Sequence, residues 1–85
     1  LRAAAGEQES LKEAPCVFII TGVIGRITIK YGQRGIRYEE MEAGHSTQNL
    51  LLQAVALRLA GVPIGAFSDR EVAQILRLRK GERPL

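Results

Sequence analysis

Three features of the amino-acid sequence predict an α+β fold that is mostly helical and forms part of a larger domain. A consecutive apolar and β-branched run, CVFIITGV, has the pattern of a strand buried on both faces. A long periodic segment over residues 38–60 ends in LLLQAVALRLA, where only Gln53 and Arg58 are polar and lie on nearly opposite sides of a helix. A helix apolar all round is a buried one. The third feature is length: 85 residues allow one domain at most, because a chain of this size hides only about 60–65% of its unfolded surface. A strand that needs two covers and a helix that needs cover on most sides ask for more partners than the remaining elements supply. Residues 1–85 are therefore read as a single partial domain, which either self-associates or is completed by further chain.

The elements follow in order. Residues 2–13 are rich in alanine, glutamate and lysine, good helix formers interrupted by Gly6, and Pro15 stops any helix at or before Ala14. The strand comes next, over residues 16–23. Between residues 24 and 38, Gly25, Gly32 and Gly35 interrupt an alternating RITIKY, leaving two alternatives. One is an edge strand over residues 26–31 and the other an irregular helical turn, and the glycines favour the non-strand form. The long helix over residues 38–60 should stop at Gly61, with Pro63 just beyond and Gly44 as a possible kink. VPIGAF, residues 62–67, reads as a second short buried strand turning into a loop at Gly65. In SDRE, Ser68 can cap and Glu71 can reach back, which opens a last helix over residues 69–78 with Val72, Ile75 and Leu76 on one face.

Composition excludes several function classes. A single cysteine, Cys16, cannot form an internal bridge and is expected as a small core residue in a reducing, cytoplasmic setting. The apolar run beside it falls far short of the roughly 18–20 residues of a membrane span, and no charged-then-apolar leader precedes it. A net charge of +3 permits an anionic ligand without demanding one. One histidine and one cysteine cannot build a metal site without carboxylates placed around them. No nucleophile has a base in context, and no phosphate-cradling glycine fingerprint is present. FSDREVAQILRLRKGE imitates the first half of a helix-turn-helix, but no recognition helix follows Gly81. Arg26, Lys30, Arg34 and Arg37, interleaved with Tyr31 and Tyr38, are compatible with a phosphate or nucleic acid, but such a run is more commonly a solvated face, and that reading is preferred.

Several motifs keep a common order from Ala14 to Asp69. Ala14-Pro15 leads into the strand, then come KYGQRGIRY, EAGHSTQNLLLQAVALRLAGVPIGAF and SD. This succession resembles the nitroreductase superfamily, and in particular its branch of dehydrogenases associated with thiazole and oxazole peptide formation. The resemblance implies an FMN-dependent oxidoreductase with the flavin at a homodimer interface. Hydride would come from NAD(P)H or a reduced carrier, and the electrons would pass to a small-molecule or peptide acceptor. It also implies that the backbone of Pro63, Ile64, Gly65 and Ala66 lies against the isoalloxazine ring. On the residues alone, Gly65 simply starts a turn before a helix.

His45, Gln48 and Asn49 open the long helix, where they either hydrogen-bond near the flavin or across the dimer, or are satisfied by the helix itself. Family members hold the FMN phosphate with an arginine-rich motif near the amino terminus and a basic pair near the carboxy terminus, and neither is present in these residues. The competing expectation is a non-catalytic scaffold remnant or dimerisation module that has lost flavin binding.

Overall fold

The computed structural model describes all residues from Leu1 to Leu85. A 3-10 turn at Ala3–Ala5 precedes α1 (Glu9–Glu13), β1 (Thr21–Val23), α2 (Ile24–Tyr31), α3 (Arg34–Ala56), α4 (Asp69–Leu76) and β2 (Glu82–Pro84). The mostly helical α+β class is thus as expected, and residues 24–31 are helical rather than strand. No helix is long and apolar enough to cross a membrane.

The sheet differs from expectation. Of residues 16–23 only Thr21–Val23 pair, and their partner is the chain end, antiparallel, with Thr21 opposite Pro84, Gly22 opposite Arg83 and Val23 opposite Glu82. The amides of Leu85 and Ile24 extend the ladder to the carbonyls of Ile20 and Gly81, and the Thr21 hydroxyl donates to Glu82 Oε1 at 2.7 Å. Residues 16–19 run unpaired beyond it. Cys16, Val17 and Phe18 are exposed, so the expected core thiol and two-sided burial are not found within this chain. Residues 62–67 form no strand either, since nothing in the chain lies beside them to complete a ladder.

Helix ends explain another difference. α3 stops at Ala56, well before Gly61, because Arg58 takes a left-handed conformation (φ 60°). Its amide then donates to Val55 O at 2.9 Å and that of Leu59 to Ala54 O at 2.8 Å, the paired bonds of a Schellman end. Arg77 closes α4 in the same way, with its amide and that of Leu78 returning to Gln74 and Ala73. Gly61 serves a different purpose: a Cβ there would lie 2.9 Å from Leu51 Cδ2, so the glycine lets the returning chain run close over α3.

Only seven residues are buried, and none is a large apolar side chain. The solvent-accessible area is 6694 Å², against about 5,000 Å² for a self-contained protein of this mass. The radius of gyration, 14.1 Å, likewise exceeds the roughly 12 Å of a compact chain of this length. The expected burial of residues 50–60 is therefore absent here: Leu52, Val55, Leu57 and Leu59 are each 60–70% exposed, and residues 57–60 are not helical. The physical reason is the one that length implied, since the chain holds no element to lay over them.

Two small clusters hold what is packed. Ala4, Ala5 and Val72 bring the 3-10 turn against α4. On the other side Glu39 of α3, 8% exposed, lies beneath Gly22 and receives Arg83 Nε and Nη2 on one carboxylate oxygen, at 3.3 and 3.1 Å. A Cβ on Gly22 would collide with that carboxylate.

Candidate functional site

The chain leaves the Schellman end of α3, folds back over Leu51 and reaches the bend formed by Pro63, Ile64, Gly65 and Ala66. Ile64 and Phe67 are half-buried, while Pro63, Gly65 and Ala66 are exposed. Hydrogen-bond accounting leaves this stretch open, as it does residues 16–19 and 60–62. The amides of Ile64, Gly65, Ala66 and Phe67 have no partner within the chain. On an exposed bend such donors are met by water and are open to a ligand that displaces it. The groups on the other side of the bend are used: Ala66 O accepts from Gln8 Nε2 at 3.4 Å, and Ser68 N–H donates to Ala4 O at 2.7 Å.

Ser68 caps α4 as its position in SDRE predicts, its hydroxyl accepting from Glu71 N–H at 3.3 Å. The reciprocal half of the box is absent because the Ser68 amide already goes to Ala4.

Beside the bend runs an apolar trough of about 580 Å³. Pro63, Ile64 and Phe67 line it on one side, Leu50, Leu51 and Ala54 of α3 form its floor, and residues 14–20 form the far wall. No lysine or arginine lines it. Of the four expected site residues, then, Pro63 and Ile64 line the trough, and Gly65 and Ala66 do not.

The remaining candidates are dispersed. His45, Gln48 and Asn49 are exposed on α3 and hydrogen-bond to nothing through their side chains. Arg26, Lys30, Arg34 and Arg37 are exposed on α2 and α3 with no carboxylate within 4 Å, and Lys30 Nζ sits 5.1 Å from the Tyr31 ring centroid. Tyr31 meets Tyr38 edge-on at 5.1 Å, fastening the hairpin between these helices. No three His, Cys, Asp or Glu side chains gather as metal ligands would. Sequence reasoning missed the Glu39–Arg83 pair and the supporting role of Ala4 and Gln8. Nothing local announces the former, whose partners are 44 residues apart.

Comparison with known proteins decides the family. The nitroreductase family model matches residues 2–85. The chain belongs to the nitroreductase family. It is 44% identical over 80 residues to a provisionally named nitroreductase of Methanocaldococcus jannaschii, a match covering 94% of this chain and 40% of that protein. The nitroreductase chain described here thus spans well under half the length of that relative. No solved structure matches it.

Proposed function

We propose that this nitroreductase chain contributes the flavin-facing bend of an FMN-dependent oxidoreductase, with hydride supplied by NAD(P)H and electrons delivered to a small-molecule or peptide acceptor. The observation that carries the reading is the bend itself, a glycine-bearing turn with open amides at residues 64–67 whose Pro63, Ile64 and Phe67 line an apolar trough. FMN supplies the two-electron chemistry when bound. The protein's part is to present fixed N–H groups where electron density rises on reduction, at the N5 and pyrimidine edge of a flat ring. The small side chains of Gly65 and Ala66 let the backbone approach that ring. The trough floor at Leu50, Leu51 and Ala54 offers an apolar surface that excludes water from it.

The residues present fit the ring and not the phosphate, because no cation lines the trough. The phosphate anchor and the cover over α3 are assigned to the rest of the domain and to a homodimer partner, in keeping with the apolar side chains left open along residues 50–60. The KYGQRGIRY and EAGHSTQNL segments support an affiliation with the thiazole and oxazole-associated dehydrogenases. A cytoplasmic setting, where the exposed Cys16 thiol stays reduced, completes the proposal.

Titrating the full-length gene product with FMN tests this. Saturable quenching of flavin fluorescence is expected, and oxidation of NADH or NADPH by the loaded protein should follow. The apolar side chains left open along residues 50–60, which call for a partner surface, favour a second reading, a scaffold or dimerisation module that has lost its cofactor, and lack of binding at high FMN concentration would support it.

A further inference from the structure

The bend is strapped to the amino-terminal turn by bonds that no local sequence rule requires. Ser68 N–H donates to Ala4 O at 2.7 Å, and Gln8 Nε2 reaches Ala66 O at 3.4 Å, so the two contacts flank Phe67 from opposite sides. Ala4 and Ala5 are 5% and 4% exposed and pack with the 3-10 turn against α4, whose Val72 is equally buried. This is the most enclosed apolar contact in the chain, and the Ser68 bond to Ala4 joins it to the end of the bend.

The turn itself is tightly determined. Gly6 and Glu7 both take left-handed conformations, φ 67° and 59°, and their amides return to Ala3 O and Arg2 O. Left-handed backbone is costly for a residue with a side chain, so Glu7 must be held in place. Arg2 does this. Its Nε lies 3.2 Å from Glu7 Oε2, off the N–H direction and so an ion pair rather than a directed bond, and its Nη2 lies 3.3 Å from Glu9 Oε1. Ala4 and Gln8 are thereby fixed relative to one another, one facing Ser68 and the other Ala66.

We infer that the amino-terminal turn is the positioning element of the bend's far end: Gln8, through the Ala66 carbonyl, and Ala4, through the Ser68 amide, fix the two peptide planes that flank Phe67, the first of which carries the free Phe67 N–H presented to the ligand. The inference rests on the proposed flavin-facing role of the bend. Both straps use groups on its near side, the Ala66 carbonyl and the Ser68 amide, and leave the amides of residues 64–67 free. Gln8 touches no ligand in this scheme and acts only through Ala66.

The test uses the isotopically labelled full-length product with Gln8→Ala, Gln8→Glu and Gln8→Lys. The first loses the donor, the second sets a carboxylate against the Ala66 carbonyl, and the third restores a donor of similar reach. FMN affinity should fall about three- to tenfold in the alanine and glutamate variants, the scale of one exposed hydrogen bond, with the flavin absorption band displaced. The lysine variant should stay within about twofold of the parent. Melting temperatures should fall by no more than a few degrees, about what one exposed hydrogen bond is worth, and the amide resonance of Phe67, which shares its peptide with the Ala66 carbonyl, should shift in flavin-free protein when the donor is lost. Parent-like affinity, spectrum and amide shifts in the alanine and glutamate variants would overturn the inference, as would equal weakening in all three. If the parent binds no FMN, the flavin reading fails separately, and the amide shifts alone decide whether Gln8 positions the bend.

Discussion

The two faces of this chain are built differently. On one, polar and charged groups close upon each other: β2 pairs with β1, Arg83 reaches Glu39 and Glu40, and Thr21 binds Glu82. On the other, apolar side chains stand open: Phe18 and Val62, 71% and 63% exposed, line an open trough, and Leu52 and Val55, 60% and 70% exposed, project from α3 outside it. Directional bonds can be satisfied pair by pair within 85 residues. Apolar surface is satisfied only by area, and the chain lacks the area to cover its own.

Breaking the open face should have the largest effect, and only in the complete protein. Leu52→Asp in the full-length product is expected to cost about 3 kcal/mol or more, because a charge would then be buried under the covering segment, while helix content of the isolated chain should barely change. Urea melts of the first and circular dichroism of the second measure the contrast. Breaking the closed face comes next. Glu39→Ala leaves Arg83 without its main partner, and since Arg83 is partly exposed the loss should be about 2–3 kcal/mol in the same urea melts.

The capping prediction is smaller. Ser68→Ala removes the acceptor for Glu71 N–H and should cost about 1 kcal/mol, less than a full capping box because the reciprocal bond does not exist. The smallest change runs the other way. Arg58→Gly relieves a left-handed arginine at the end of α3 and should stabilise the fold by about 0.5–1 kcal/mol, raising the melting temperature by a few degrees.

What was legible in the sequence follows the same division between local and distant causes. The Ser68 cap, the helix it opens and the long helix, expected over residues 38–60 and found at Arg34–Ala56, depend on neighbours a turn away, and the sequence pattern located each of them though not the ends of the last. The pairing of Glu82–Pro84 with Thr21–Val23 spans about sixty residues and left no local mark, so β2 was missed and residues 16–20 were assigned more strand than they have. The stop of α3 was misplaced because Gly61 is the better left-handed residue, yet Arg58 takes that conformation while Gly61 gives Leu51 room. At the candidate site the glycine-bearing bend was legible in VPIGAF. Its strapping by Ala4 and Gln8 was not, because a carbonyl and an exposed glutamine carry no signature of their distant partner.

The central claim is that the free amides of residues 64–67 face a flat redox cofactor. Amide exchange and chemical-shift mapping of the labelled full-length product, with and without FMN, test it most directly. Slowed exchange and displaced resonances confined mainly to Ile64, Gly65, Ala66 and Phe67 are predicted. Flavin bound with those four amides unmoved and still exchanging freely would contradict it.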